Sequence, residues 1–156
     1  MPSMPNRREF LAAAAALVVS RRVLADVAPN GAALPVVTVY KDAGCGCCKE
    51  WVKHLSANGF VVNAKDVLNV DEIKRTMSVP PALESCHTAV VGRYVIEGHV
   101  PASDIKKLLA ENPAVQGLAA PGMPVGSPGM EQGGRKDKYD VIAFTRDGKS
   151  RLFAHH

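Results

Sequence analysis

The sequence predicts one α/β domain, and three observations support this fold class. Short runs of β-branched residues, such as residues 36–40, alternate with segments whose apolar residues recur at helical spacing, such as residues 49–58. The chain has 156 residues, a length that suits a single domain. Hydrophobic residues make up 47% and charged residues 22% of the chain, an ordinary balance for a globular protein. Strands and helices that alternate at the start of such a domain indicate a parallel βαβ unit.

The predicted elements follow one another in the order strand, helix, strand, helix, strand, strand, helix. Gly59 lies just past the first helix, Pro80 and Pro81 follow the second, and Gly92-Arg93 joins the two later strands as a hairpin. This order is the thioredoxin pattern. The segments are strand 36–40, helix 49–58, strand 60–67, helix 71–77, strands 88–91 and 94–97, and helix 103–111.

The C-terminal part of the chain is predicted to add to this pattern. Residues 117–134 are rich in glycine and proline and should form a loop. Residues 139–145 and 150–154 are predicted as a final hairpin that turns at Asp147-Gly148. We therefore expect a thioredoxin-like fold with an added C-terminal β-hairpin over residues 36–156.

The first 25 residues have the features of an export signal. Paired arginines at positions 7 and 8 precede Phe10-Leu11, and an apolar run of eight residues follows at 12–19. Such a run is too short to span a bilayer but suits the core of a signal peptide. Small residues before Asp26 offer a cleavage site, and the paired arginines resemble a twin-arginine signal. We predict a signal peptide over 1–25, a linker over 26–35 and a periplasmic mature protein; an amphipathic or buried helix is the alternative.

The charge of the chain argues against a nucleic-acid partner. The formal net charge is +4, but residues 1–25 contain four of the 19 basic and one of the 15 acidic residues. Their removal leaves 15 basic and 14 acidic residues, a net charge of +1. A nearly neutral chain has no electrostatic footprint for nucleic acid. No other stretch is long enough to cross a membrane, so we expect no membrane partner after signal removal.

Three of the four cysteines lie in Gly44-Cys45-Gly46-Cys47-Cys48, between a predicted strand and the helix that follows it. The first N–H groups of a helix lack internal partners and carry partial positive charge, which favours thiolate over thiol. The fourth, Cys86, precedes the third strand. In a thioredoxin-like fold that loop lies against the start of the first helix, so we expect all four sulfurs to converge.

Three uses of this cysteine cluster compete. Structural disulfides suit an oxidising compartment, with Cys45–Cys48 and Cys47–Cys86 as one pairing. Thiol–disulfide exchange by Cys45 and Cys48 suits the fold, but Cys86-His87-Thr88 stands where oxidoreductases of this fold usually carry a cis-proline. Metal binding is the use we favour, because Cu(I) prefers thiolates, accepts few ligands and can be bridged by sulfur into a cluster. Gathering all four cysteines on one zinc ion is awkward, since Cys47 and Cys48 are adjacent.

Four further side chains are secondary candidates for copper ligands, and no residue is assigned a catalytic role. His87 adjoins Cys86, although neighbours on an extended segment face opposite ways. His99 follows the fourth strand, at an end of the sheet that the sequence leaves open. Met123 and Met130 lie in the Gly/Pro loop without helical or strand period, and thioether sulfur is a soft copper ligand. Hydrogen bonding by the histidines and gap filling by the methionines are the alternative roles.

Four motifs, in this order, resemble a known family. The sequence is similar to the small periplasmic metal-binding proteins long described as a domain of unknown function, which include the CopG-type copper-resistance proteins. The likeness covers about residues 36–155. The motifs are Gly44-Cys45-Gly46-Cys47-Cys48, Cys86-His87-Thr88, Gly98-His99-Val100-Pro101, and Pro121-Gly122-Met123-Pro124 with Ser127-Pro128-Gly129-Met130.

This resemblance implies a thioredoxin-like fold, copper tolerance and a cysteine-bridged copper cluster. The CxCC cysteines of the family correspond to Cys45, Cys47 and Cys48, its later cysteine to Cys86, and the adjacent histidine to His87. The implied partners are copper ions and other periplasmic copper-handling proteins. We therefore expect a periplasmic protein that holds Cu(I) for copper resistance. A thiol–disulfide oxidoreductase or a copper oxidoreductase is the alternative.

Overall fold

The computed structural model of the protein describes residues 33–156, which form a mixed α/β domain. The predicted signal peptide, residues 1–25, and most of the predicted linker, residues 26–35, lie outside the described residues. In the described part, no helix is both long enough and apolar enough to cross a membrane. The strands are β1 Val37–Lys41, β2 Val62–Asp66, β3 His87–Val91, β4 Tyr94–Gly98, β5 Gly117–Ala120, β6 Asp140–Phe144 and β7 Ser150–His155, and the helices are α1 Gly46–Ala57, α2 Val70–Thr76 and α3 Ala102–Glu111, with a short 3₁₀ turn at Pro81–Leu83.

One seven-stranded sheet runs through the domain in the order β2-β1-β3-β4-β5-β6-β7. β1 is parallel to β2, and β4 is parallel to β5, whereas the other neighbouring pairs are antiparallel. The strands β1, β4 and β5 therefore end at the edge of the sheet where β3 begins. The loops after β1, β4 and β5 and the loop before β3 all meet there, and we call this end of the strands the site edge.

Helices cover the sheet and bury its apolar side chains in two clusters. The larger cluster joins Trp51 of α1 and Ile105 of α3 to strand residues such as Ile96, and all three side chains are fully buried. The smaller cluster contains Val95 and Phe144. Because successive side chains of a strand point to opposite faces, the neighbours Val95 and Ile96 belong to different clusters. The sheet is thus buried on both faces near its centre.

The strand β5 corrects the prediction that residues 117–134 form a loop throughout. All four residues of β5 are buried, and the strand pairs with β4 on one side and β6 on the other. A strand buried on both faces shows no polar–apolar alternation, so a short Gly-Leu-Ala-Ala run gives no strand signal. Gly117 is needed because a Cβ there would lie 1.8 Å from the carbonyl oxygen of Val95. The predicted C-terminal hairpin is present as β6 and β7, and β5 joins it to the rest of the sheet.

The other predicted elements lie within one or two residues of their expected bounds, except that α1 starts three residues earlier than predicted. Gly46, Cys47 and Cys48 have weak helix propensities, so the pattern of apolar residues placed the start at Lys49. In the structure they form the first turn of α1. Two of the cysteines therefore belong to the helix and not to the loop before it.

Candidate metal centre

Hydrogen bonds from within the cysteine-rich segment, residues 44–48, and from Asp42, two residues before it, shape its backbone. Cys45 is the N-cap of α1, and its Sγ accepts a hydrogen bond from the N–H of Cys48 at 3.3 Å. Asp42 closes the preceding turn: its carbonyl oxygen accepts from the N–H of Cys45 at 3.1 Å, and its carboxylate accepts from the N–H of Gly44 at 2.7 Å. A cysteine sulfur thus takes the place of the usual Ser or Asp cap.

Cys86 approaches this segment from the start of β3. Its Sγ lies 3.6 Å from the Sγ of Cys48 and 3.8 Å from that of Cys47. The Sγ atoms of Cys45 and Cys47 are 3.6 Å apart, and all four sulfurs lie within 4.8 Å of one another. The convergence expected from the sequence is therefore present.

Cys45 and Cys48 are joined by a disulfide, whereas Cys47 and Cys86 are free thiols. The Cys45–Cys48 pair is the one that the sequence suggested for thiol–disulfide exchange. The second bridge of the disulfide hypothesis, Cys47–Cys86, is absent. The structure thus represents the centre with two of its four thiols oxidised, and reduction of this bridge frees all four sulfurs for a metal.

Two histidines complete the centre around Cys86. Nε2 of His99 lies 3.0 Å from the Sγ of Cys86, and Nδ1 of His87 lies 3.3 Å from it. His87, which alternation along a strand would turn away from Cys86, reaches the thiol because the strand only begins at that residue. His99 follows β4 and so lies at the site edge. The sequence alone had left open at which end of the sheet this histidine would lie. Both imidazoles are fully buried.

A backbone carbonyl of the Gly/Pro loop fixes the orientation of His99. Nδ1 of His99 donates a hydrogen bond to the carbonyl oxygen of Pro128 at 2.7 Å. Since a carbonyl only accepts, the proton of the neutral ring lies on Nδ1, and the lone pair of Nε2 points at Cys86. A hydrogen bond from one ring nitrogen is the usual way in which proteins orient a metal-binding histidine through the other.

The loop between β5 and β6 covers the centre from the Cys86 side to the first turn of α1. The N–H of Gly122 donates to the carbonyl oxygen of Glu84 at 3.2 Å. At the other end, Gly129 has φ +86°, and a Cβ there would lie 2.7 Å from the carbonyl oxygen of Cys47. Met123 and Met130 each follow one of these contacts directly, and the side chain of Met123 is half exposed.

The protein environment favours the neutral forms of Cys86, His87 and His99 in the metal-free centre. Burial, followed by the nearby Cys47, raises the pKa of the Cys86 thiol to about 12. Burial also lowers the pKa of His87 well below its usual range, with His99 and Lys74 acting in the same direction. The pKa of His99 is lowered mainly by burial. The imidazoles therefore keep their lone pairs at neutral pH, while Cys86 has to lose a proton when a metal binds.

The donor set fits a soft metal ion. Nε2 of His87 is buried and has no hydrogen-bond partner among the described residues. Nδ1, on the other side of the ring, is the nitrogen that faces Cys86, so the unpaired Nε2 does not itself mark the position of a metal. Four sulfurs, of which only that of Cys48 is fully buried, and two buried imidazoles suit Cu(I) better than Mg²⁺ or Ca²⁺, which prefer oxygen. The residues present can therefore hold one or more soft metal ions.

Sequence reasoning missed the parts of the centre that come from the backbone. The Pro128 carbonyl and the close approach of Gly129 have no side chain that could signal them. The only available hint was that Gly and Pro recur beside each methionine of this loop.

Comparison with known proteins gives a consistent result. A family model described as "Protein of unknown function, DUF411" matches residues 83–130, which include Cys86, His99 and the first half of the loop between β5 and β6. Two solved structures named copper resistance protein CopG, forms 1 and 2, are each 47% identical to this chain. Each match covers 79% of this chain and 98% of the solved chain, with TM-scores of 0.74 for form 1 and 0.75 for form 2. Among curated proteins, none matches.

The identity extends over nearly the whole length of both solved chains, including the region of the cysteines and histidines described above. The chain belongs to the CopG family of copper resistance proteins.

Proposed function

We propose that this protein binds copper as its cargo and contributes to copper resistance. The observation that carries the proposal is the convergence of four cysteine sulfurs within 4.8 Å at the end of the sheet. Thiolates are the ligands that Cu(I) prefers, and copper held by several thiolates is kept from reacting elsewhere. The name of the similar solved structures supports copper over other soft metals.

Cu(I) is the proposed oxidation state, and a cluster of several ions is the proposed form. Cys86 is the centre of the ligand set, because its Sγ has two sulfurs and two imidazole nitrogens within 3.8 Å. A thiolate in such a position can bridge metal ions that its neighbours hold individually. Cys45, Cys47, Cys48 and Cys86 are the proposed sulfur ligands. His87 through Nδ1 and His99 through Nε2 are the proposed nitrogen ligands, and Met123 and Met130 are outer candidates.

The fold and location we propose agree with this function. The strand order β2-β1-β3-β4, with α1 between the parallel strands and α3 after the hairpin, supports a thioredoxin-like core that β5, β6 and β7 extend. A disulfide between Cys45 and Cys48 suits an oxidising compartment. We propose export by the twin-arginine route, a periplasmic location, and exchange of copper with other periplasmic copper-handling proteins.

The disulfide supports a second candidate function, a thiol oxidoreductase or a copper oxidoreductase. The Cys45–Cys48 bridge lies at the N-terminus of α1, where exchange-active disulfides are often found. In a copper reaction, the two thiols would give two electrons to two Cu(II) ions. The products would be one disulfide, two Cu(I) ions and two released protons. Turnover of a model disulfide by the metal-free protein, or of Cu(II) by the reduced protein, tests these activities.

The first experiment is to determine metal content and thiol count together. The mature chain, residues 26–156, is purified without oxygen from cells grown with copper. We expect more than one copper per chain, no titratable thiol, and recovery of four thiols when a strong Cu(I) chelator removes the metal. Cys48→Ser should bind no more than one copper. A wild-type protein without copper and with a readily reduced Cys45–Cys48 bridge would overturn the proposal in favour of thiol–disulfide exchange.

A further inference from the structure

Beneath the Cys86 loop lies a buried polar network that the ligand set does not include. Glu97 of β4 is fully buried, and its carboxylate accepts three hydrogen bonds. Lys74 Nζ donates to Oε1 at 2.5 Å, the N–H of Ser85 donates to Oε1 at 2.7 Å, and the hydroxyl of Thr88 donates to Oε2 at 2.6 Å. Lys74 also donates to the hydroxyl of Thr88 at 3.1 Å.

The ion pair between Lys74 and Glu97 is expected to contribute little to the stability of the fold. The side chains of Lys74 and Glu97 are 3% and 0% exposed, so both charges are removed from water. The cost of desolvation commonly cancels the attraction within such a pair, and an apolar pair of similar volume is often no less stable. Burial raises the pKa of Glu97 against the opposing effect of Lys74, which shows the same cost. A use in fixing local geometry would account for the pair.

The geometry that Glu97 fixes is that of the residue before Cys86. The N–H of Ser85 ends on the carboxylate, while its hydroxyl donates to the carbonyl oxygen of Gly122. Ser85 is also packed so closely on Gly98 that a Cβ at that glycine would lie 2.6 Å from it. With both polar groups of Ser85 bound and its side chain confined, the position from which the Cys86 side chain leaves the backbone is fixed.

We propose that Glu97 is a positioning residue for the metal centre: through the N–H of Ser85 it holds Cys86 in place, and Lys74 and Thr88 hold its carboxylate. The consequence for copper rests on the function proposed above, whereas the consequence for Cys86 in the metal-free protein does not. A purely structural alternative is that the ion pair only fastens α2 to the sheet. In that case the loss of Glu97 would lower stability without a selective effect on Cys86.

The first test uses the metal-free protein with the Cys45–Cys48 bridge intact, so that only Cys47 and Cys86 react with an alkylating reagent. Peptide mass spectrometry gives the ratio of the two alkylation rates, with Cys47 as the internal reference. For Glu97→Leu we expect the Cys86/Cys47 ratio to rise about tenfold, because a buried charged acceptor of the Ser85 N–H is lost. Glu97→Gln should change it much less, since its amide oxygen still accepts that hydrogen bond.

Tyr94→Phe is the matched control. Tyr94 lies on the same strand as Glu97, and its buried hydroxyl donates to Oδ1 of Asn112 at 2.9 Å, at the opposite end of the sheet. This variant should lose stability but keep the wild-type ratio. An unchanged ratio in Glu97→Leu, or an equal rise in the control, would overturn the proposal. If Glu97→Leu does not fold, Thr88→Val replaces it, and there a ratio within error of wild type is the contradicting result.

The second test measures copper. Competition with a chromophoric Cu(I) chelator on the fully reduced protein should give an affinity about 10- to 100-fold lower for Glu97→Leu than for wild type, the usual effect of losing an outer support of a metal site. Rescue in Glu97→Gln, with the control unaffected, separates positioning from stability. If wild type binds no Cu(I) yet the alkylation ratio rises, the copper function fails while the positioning of Cys86 stands.

Discussion

The two segments that bring sulfur to the centre are held in opposite ways. The cysteine-rich segment, residues 44–48, receives the hydrogen bonds that shape its turn and helix cap from Asp42 and from Cys45, each within three residues. The Cys86 segment, residues 84–87, depends on Glu97, 12 residues from Ser85, and on Gly122, 37 residues from it. A local segment keeps its geometry when other parts of the fold are disturbed, and a segment held at long range does not.

The comparison is tested most strongly by removing one sulfur from each segment. Cys86→Ser should lower Cu(I) affinity of the reduced protein by more than about 100-fold, beyond the range typical of outer-shell changes, because Cys86 touches two sulfurs and two histidines. Cys45→Ser should lower the Cu(I) affinity less, since Cys45 lies at the edge of the group of proposed ligands. Chelator competition measures both. Equal losses would show that Cys86 has no central role.

The loop between β5 and β6, which covers the centre, allows a test in which no proposed ligand is changed. Gly129→Ala should lower the free energy of unfolding by about 3 kcal/mol, because a positive φ is combined with a clash against Cys47 and Trp51. It should also weaken Cu(I) binding, since the adjacent Pro128 carbonyl orients His99. Gly134→Ala is the control: it also has positive φ, but its Cβ meets nothing within 4 Å, so it should cost only about 1 kcal/mol. Urea unfolding of the metal-free protein measures both values, and equal losses would contradict a close contact at Gly129.

The same contrast explains how much of the centre could be predicted from the sequence. The cysteine-rich segment could be predicted because its residues are adjacent and because the strand before it and the helix after it give local sequence patterns. The convergence of Cys86 followed from the order of elements. The orientation of His99 did not, because it depends on a backbone carbonyl 29 residues away. Glu97 looked like an ordinary strand residue, since burial and partners from α2 become visible only in three dimensions. The strand β5 was not predicted for a related reason: burial on both faces removes the polar–apolar alternation that marks a strand.

The smallest expected effect concerns the contact that joins α1 to the turn after His99. Nε2 of His54, on α1, accepts a hydrogen bond from the N–H of Ala102 at 3.1 Å. Burial lowers the pKa of His54, against the opposing effect of Glu131. The folded protein therefore binds fewer protons here than the unfolded chain, and stability is lost as the pH falls below the unfolded pKa of about 6.5. The link between α1 and the turn after His99 should thus weaken in acid.

Urea unfolding of the metal-free protein between pH 7.5 and pH 5 measures this effect. The buried His87 and His99, whose pKa values are also lowered, contribute slopes of the same sign, so wild type should lose stability steadily. His54→Gln should have a shallower slope, because the glutamine amide oxygen can accept from Ala102 without taking up a proton. Lys53→Gln, an exposed substitution on the same helix, should leave the slope unchanged. If His54→Gln follows the wild-type slope, His54 contributes no pH-dependent link between α1 and the turn that follows His99.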